Sequence, residues 1–477
     1  MTLRPYQARF KQAIYSSFRN NHYNVMGVLP TGGGKTHVFS SIVQDCTNKG
    51  HKTLILAHRE ELIGQAYDKL SSGYDLEVGV IKAGYTPNLS APVQVASVQT
   101  LIRRDLKIPF KLIIVDEAHH DQKNNTYGKI RDKIKEHSPD LRVLGVTATP
   151  IRLNGSGFKD VYDDMVIGAT VKELIELGNL VAPKYLIHAP VDLNGVKKTA
   201  GDYNLKQLAE SYRAKMPPEI LVEDHLKYFP NKQTVVFAIN IEHSQDIVSA
   251  YKYRGIRAAH IDGDTPNDVR KAIFRDFAEK RITVLSNFGI VTEGYDCPGI
   301  EAIQLARPTE SLALYMQMGG RGLRPADGKE QAIISDWANA IMTHGKLEFD
   351  RDWGLGGLSG KYKKRVKALD KLTGKIYSLE RLPMNIPPEW LELIEVDDKQ
   401  IHKANEYNNI VGEFKKLQFT ANQRGFKPKW IFWRLMDKYK PKTDDKMTAI
   451  ATVFAEHLEW KPTAVPHLVR EYKQKIG

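Results

Sequence analysis

The chain has 477 residues, of which 42% are hydrophobic and 26% charged, as in a globular protein of two to four domains. Its formal net charge of +13 favours a polyanionic partner, although a basic balance can also serve solubility alone. No apolar run is long enough to span a bilayer, and the N-terminus lacks the apolar core of a signal peptide. We therefore expect a cytoplasmic protein that does not contact membranes.

A glycine-rich turn lies between the first predicted strand and the helix predicted over 37–48. Such a turn points backbone N–H groups into one concavity at a helix N-terminus, where phosphates bind. We expect Lys35 to reach the phosphates of ATP and the Thr36 hydroxyl to bind Mg²⁺. The usual motif has glycine where this chain has Leu29. The residues predicted to hold the nucleotide here are Thr31, Gly32, Gly33, Gly34, Lys35 and Thr36.

Short apolar runs alternate with helical stretches over the first 345 residues, which is typical of parallel α/β sheets. The predicted strands are Val25–Leu29, Thr53–Ala57, Val93–Ala96, Leu112–Val115 and Val143–Val146, then Thr234–Ala238, Ala258–Ile261, Thr283–Leu285, Ala302–Leu305 and Ala332–Ile334. The count indicates two similar sheets in tandem. We predict an α/β fold with domains over 1–168 and 169–345, followed by a smaller, mostly helical domain over 346–477. The glycine-rich run 353–360 predicts a flexible boundary.

The fourth predicted strand ends in Val115-Asp116-Glu117-Ala118-His119, and the carboxyl ends of parallel strands are where α/β sheets bind ligands. Asp116 is placed to hold Mg²⁺, and Glu117 to orient the attacking water and accept its proton. We expect His119 to sense the γ-phosphate site. The structural alternative is that the charged residues at the end of this strand only cap a helix.

The chain resembles superfamily 2 DEAH-box helicases. The matching segments, which include the glycine-rich turn and residues 115–119, occur in the expected order from residue 4 to residue 325. The resemblance implies two RecA-like domains around an ATP site, with adenine and ribose contacts from Arg4, Gln7, Gly294 and Asp296. It implies that Thr147 and Thr149 couple hydrolysis to movement. It also implies that Gln317, Arg321 and Arg324 complete the site from the second domain, Arg324 as the arginine finger. An arginine finger is worth about 10³–10⁵ in rate, so hydrolysis would follow domain closure.

The resemblance assigns backbone contacts with a nucleic acid to His58, Arg59, Ser97, Gln99, Thr100, Asn240 and Thr292. Helix capping by Ser97 and Thr100, and a solvated loop at 58–59, are the structural alternatives. Nothing indicates base-specific reading, so we expect binding to phosphate and shape with strong salt dependence.

The last part of the chain is basic and rich in tryptophan, with 26 Lys or Arg against 18 Asp or Glu over residues 345–477. A basic run over 361–367 suits phosphates or a solvated linker. The aromatic run 425–434 suits base stacking or the core of a small helical domain. This run and residues 319–324 resemble bacterial RadD-type DNA repair helicases. Many of these carry a cysteine zinc module, which a chain with only Cys46 and Cys297 cannot form, and we expect no zinc.

The leading interpretation is an ATP- and Mg²⁺-dependent helicase or translocase that acts on single-stranded or branched DNA in repair, recombination or replication. One alternative is an RNA helicase. Another is an ATP-gated motor subunit that binds nucleic acid and needs a partner protein.

Overall fold

The computed structural model describes residues 2–58, 60–152, 155–188, 195–199, 202–215, 217–291, 297, 299–358, 365–370, 376–379, 388, 391–396, 410, 413–441, 444–458 and 464–476. The chain divides into two compact units, Met1–Tyr362 and Lys363–Gly477. Among the helices of the described residues, none combines the length and apolar character that a membrane crossing requires.

A seven-stranded parallel sheet forms the first half of the first unit, in the order β3-β4-β2-β5-β6-β1-β7. Helices cover both faces, so its central strands are apolar at nearly every position rather than alternating. The elements in chain order are α1 (Pro5–Arg19), β1 (Asn24–Val28), α2 (Lys35–Asn48), β2 (Thr53–Ala57), α3 (Glu60–Tyr74), β3 (Val78–Ile81), β4 (Val93–Ser97), α4 (Val98–Leu101), β5 (Leu112–Asp116), α5 (Thr126–Lys135), β6 (Arg142–Thr147) and β7 (Asp164–Ile167).

A six-stranded parallel sheet forms the second half, in the order β12-β13-β11-β14-β15-β8. The prediction of two tandem parallel sheets is therefore confirmed. The elements are α6 (Val171–Glu176), β8 (Ala182–Ile187), β9 (Lys198–Thr199), β10 (Asp202–Tyr203), α7 (Leu205–Lys215), α8 (Pro218–Tyr228), β11 (Thr234–Phe237), α9 (Ile241–Tyr253), β12 (Ala258–Ile261), α10 (Asn267–Ala278), β13 (Val284–Asn287), β14 (Ala302–Leu305), α11 (Leu312–Gly320), β15 (Gln331–Asp336) and α12 (Ala340–His344).

The described part of the glycine-rich run after the second sheet, which was predicted as a flexible boundary, forms paired strands. Strands β16 (Trp353–Gly354) and β17 (Gly357–Leu358) form a hairpin that packs on the first half. The Leu355 carbonyl accepts a hydrogen bond from Phe158 N at 2.6 Å. Residue 157 must be glycine in this packing, because a Cβ there would collide with the Leu355 carbonyl. The chain thus returns from the second half to the first.

The second unit combines an antiparallel sheet with a helical core, so the prediction of a mostly helical region missed the sheet. Strand β18 (Arg365–Asp370) lies between β19 (Ile376–Ser378) and β20 (Leu391–Val396). Strand β18 alternates Lys and Arg with apolar residues, which made the segment resemble a charged linker. Helices follow over 413–424 (α13), Pro428–Tyr439 (α14), Asp444–His457 (α15) and Ala464–Ile476 (α16). Trp430 and Trp433 pack against their apolar core, as the core alternative expected.

Candidate active site

The glycine-rich turn joins β1 to α2 at the carboxyl edge of the first sheet. Gly32 and Gly34 both have φ of +83°, a left-handed conformation in which a side chain is disfavoured. A Cβ at Gly34 would also collide with the Gln7 side chain. Leu29, where the usual motif has glycine, is fully buried, and its N–H donates to the Thr147 carbonyl at 3.1 Å. The departure from the motif therefore adds a core residue and leaves the turn intact.

Next to this turn lies a cavity of about 680 Å³ whose walls come from both α/β halves. Helix α11 approaches the turn closely, since a Cβ at Gly320 would stand 3.1 Å from Thr31 Cβ. The structure thus brings most of the predicted nucleotide and catalytic residues to one place. Those that line the cavity are Arg4, Gln7, Thr31, Gly32, Gly34, Lys35, Thr36, Asp116, Glu117, Gln317, Arg321 and Arg324.

Opposite charges meet at the floor of this cavity. Burial lowers the pKa of Lys35, while the nearby carboxylates of Glu117 and Asp116 oppose that shift. Burial, reinforced by Glu117, raises the pKa of Asp116 to about 6. A cation bound at the Asp116 carboxylate would offset the free-energy cost of burying its negative charge. Thr36 and Asp116 supply the oxygen donors that Mg²⁺ prefers, so the residues present fit this ion together with substrate phosphates.

Glu117 sits in a left-handed backbone conformation with φ of +51°, which is rare outside glycine and frequent at functional sites. Its carboxylate lies 3.3 Å from His119 Nδ1. The buried His119 ring also lies 3.4 Å from the Thr147 hydroxyl and 3.3 Å from the Gln317 amide of the second half. Thr149 N donates to the same Thr147 hydroxyl at 3.2 Å. His119 therefore connects the carboxylate, the predicted coupling segment and the opposite half.

The N-terminal segment packs directly on the glycine-rich turn. The Gln7 amide donates to the Gly33 carbonyl at 3.2 Å, and its oxygen accepts from Arg4 N at 3.0 Å. The Tyr6 hydroxyl donates to the same carbonyl at 2.9 Å, and the Arg4 guanidinium donates to Asn179. Tyr6 and Asn179 were not predicted from the sequence. Nothing in the sequence indicates that role for a tyrosine on the apolar face of a helix or for an asparagine in a loop.

Lys329 is a further residue that sequence reasoning missed. Its ammonium donates to the carbonyls of Gly322 at 2.6 Å and Arg324 at 2.7 Å. These bonds hold the turn that presents both predicted arginines to the cavity. The stem of Arg324 lies beside Gly32, with Cγ 3.4 Å from where a Cβ at that glycine would stand. A lysine in the sequence Gly328-Lys329-Glu330 resembles a surface turn, so only the three-dimensional contacts identify it.

The predicted nucleic-acid residues are held by local contacts. The Ser97 hydroxyl donates to Gln99 Oε1 at 2.8 Å, and Gln99 Nε2 donates to the His58 carbonyl at 3.1 Å. The Thr100 hydroxyl accepts from Ala83 N, and the Asn240 side chain caps α9 by accepting from His243 N. The His58 ring contacts His120, with centroids 4.3 Å apart, and His120 contacts His119. Arg59, Thr292, Gly294 and Asp296 lie outside the described residues.

Two families match this chain. "Type III restriction enzyme, res subunit" matches residues 1–152, and "Helicase conserved C-terminal domain" matches residues 218–326. A "51.5 kDa protein" of Lactococcus phage (isolate 7-9) is 33% identical over 326 residues, which cover 68% of each chain. With its two RecA-like sheets and shared cavity, the chain belongs to the superfamily 2 helicases, which hydrolyse ATP.

The chain is also similar to "Putative ATP-dependent helicase IRC3" of Saccharomyces cerevisiae, at 34% identity over 71% of this chain and 52% of that protein. It thus spans about half the length of that relative. Among solved structures, a fragment of a "putative HsdR subunit of a type I restriction enzyme" from Vibrio vulnificus YJ016 shares the fold, with a TM-score of 0.58 and 20% identity over 72% of this chain and 66% of that one. These relatives give no support to the narrower RadD-type or DEAH-box resemblance.

Proposed function

We propose that this chain is an ATP-driven motor that translocates on, unwinds or remodels DNA, with Mg²⁺ as its metal cofactor. The observation that carries the proposal is the cavity that Lys35 and Asp116 share with Arg321 and Arg324 of the opposite half. A site divided in this way is complete only when the halves are together, so turnover and domain movement depend on each other. The expected roles in repair, recombination or replication and the cytoplasmic location belong to this proposal.

The charged residues of the cavity have distinct roles in phosphoryl transfer, which depends on positioning and on positive charge around the γ-phosphate. Lys35, Arg321 and Arg324 supply that charge. Glu117 orients a water and takes its proton as the water oxygen bonds to the γ-phosphorus and the bond to ADP breaks. When bound, Mg²⁺ neutralises phosphate charge, and Thr36 with Asp116 would hold it. His119 reports the state of the site to the second half through Gln317.

DNA contacts are proposed for the polar side chains at the carboxyl ends of β2, β4 and β11, where His58, Ser97, Gln99, Thr100 and Asn240 lie. The ring contact of His58 with His120 gives a short route from this surface to the catalytic histidine. Such residues contact the phosphate backbone and do not read the base sequence.

A second candidate is a motor subunit that binds nucleic acid and whose ATP hydrolysis responds to it only within a larger assembly. The words "res subunit" and "HsdR subunit" in the names of the matched family and structure favour it. In that case this chain would supply the motor and another chain the remaining activities.

Steady-state ATP hydrolysis tests the proposal, measured without nucleic acid and with single-stranded, duplex, forked DNA or RNA. The Glu117→Gln variant is the blank. Strong stimulation by DNA supports the DNA motor, and stimulation by RNA alone identifies an RNA helicase. Basal turnover that depends on Lys35 but responds to no nucleic acid points to the partner-dependent subunit.

A further inference from the structure

A second large cavity lies between the two halves, lined by residues other than those of the ATP site. Its volume is about 660 Å³, and we call it the aromatic cleft. One wall comes from α3 and the loop after β3, and the other from α10. Tyr67 and Tyr85 on the first wall are 39% and 52% exposed, and Phe274 lies on the second. Apolar surface of this kind, rimmed by polar groups, marks interaction sites.

Positive charge surrounds these aromatic rings. Lys82, Arg270 and Lys271 line the cleft together with a single carboxylate, that of Asp68. The Lys82 ammonium lies 5.0 Å from the centroid of the Tyr85 ring. The Arg270 guanidinium donates to the carbonyls of Gly263 and Thr265, both at 3.2 Å, which fixes its position. Grooves that combine cations with aromatic platforms are typical of sites for single-stranded nucleic acids.

The cleft is continuous with the surface proposed to contact DNA. Ala83, in the loop between Lys82 and Tyr85, donates its N–H to the Thr100 hydroxyl at 3.3 Å. Each wall includes residues that come after the carboxyl end of a parallel strand, because Lys82 directly follows β3 and α10 follows β12. Thr100 is therefore hydrogen-bonded to the loop that carries Lys82 and Tyr85 of the cleft.

We propose that the aromatic cleft binds single-stranded DNA by stacking a base on Tyr85, with phosphates beside Arg270 and Lys271. This inference rests on the proposed function. It adds base stacking to contacts that otherwise involve only the phosphate backbone. Every base has a π-face, so the contact tolerates any sequence. Because each half supplies one wall, movement of the halves changes the width of the cleft and thereby its grip on the strand.

The experiment compares two probes of equal length, an oligo-dT strand and an abasic strand with the same phosphates. Their affinities are measured by fluorescence anisotropy for the full chain and for Tyr85→Ala, Tyr85→Phe and Tyr253→Ala. Tyr253 is 89% exposed and lies outside the cleft, so it provides the matched control. Loss of one base–aromatic stack weakens binding about 5- to 150-fold. We expect that loss for Tyr85→Ala on oligo-dT only, and near-normal affinity for Tyr85→Phe.

Three results would overturn the inference. Unchanged oligo-dT affinity of Tyr85→Ala means that the cleft serves another occupant, such as a protein partner. An equal loss on both probes means a general effect on the fold or on phosphate contacts. Equal affinity of the unaltered chain for both probes means that no base is stacked. The proposed function fails separately, when no DNA stimulates hydrolysis by the unaltered chain.

Discussion

Replacement of Lys329 by methionine tests whether the arginines act only from a turn that is held in place. The variant keeps the length of the side chain but removes both hydrogen bonds, to Gly322 and Arg324. Hydrogen bonds from a charged donor contribute about 1.5–3 kcal/mol each. A displacement of a catalytic group by about 1 Å can cost about 100-fold in rate. We therefore expect kcat for DNA-stimulated ATP hydrolysis to fall about 10- to 100-fold, with KM for ATP nearly unchanged.

Two further variants separate positioning from general destabilisation. Lys329→Arg retains a cationic donor and should recover much of kcat. In an Arg324→Ala background, Lys329→Met should have a smaller effect than in the unaltered chain, because one of the two arginines through which it acts is already absent. Multiplicative losses in the double variant, or a KM that rises as much as kcat falls, would refute a positioning role.

Three other perturbations give distinct outcomes. Lys35→Ala should abolish ATP turnover at unchanged thermal stability, and normal hydrolysis would remove Lys35 from the site. In pH profiles, kcat/KM for MgATP should fall as the pH drops through about 6. Burial raises the pKa of Asp116 to about 6, and the protonated carboxyl binds Mg²⁺ poorly. A profile that stays flat to about pH 5 would contradict this expectation. Gly157→Val should lower Tm by several degrees, because overpacking against Leu355 costs about 1–3 kcal/mol. Gly263→Ala should leave Tm unchanged, because a Cβ at residue 263 lies in open space.

Much of the α/β fold could be predicted because most strands are short apolar runs and the helical stretches between them have a different hydrophobic period. The sequence pattern identified ten of the strands in the two large sheets. It missed β3, a strand of only four residues that includes Gly79, and it missed β7 and β8, which contain polar or exposed residues. Strand β7 illustrates the reason: it lies at an edge and is buried at none of its four positions, so its place depends on pairing with β1.

The candidate site was predictable where a motif lies at a strand end. The turn at 29–36 and Asp116 are local features, and the sheet order brings them together. The contact of His119 with Gln317 spans 198 residues, and no spacing in the sequence specifies it. The same holds for Lys329, whose role comes from the carbonyls that it contacts. The hairpin over 353–358 was also beyond prediction, because its order depends on packing against Gly157.

The affinity of the Glu117→Gln variant for single-stranded DNA, with and without ATP, tests most directly whether one nucleotide site controls both halves. This variant lacks the carboxylate that accepts the proton, so we expect it to bind ATP without completing hydrolysis and to keep the halves closed. We expect a DNA dissociation constant that differs severalfold between the two conditions and that loses this dependence when Arg324 is also replaced by alanine. A dissociation constant that is the same with and without ATP would contradict control of both halves by one nucleotide site.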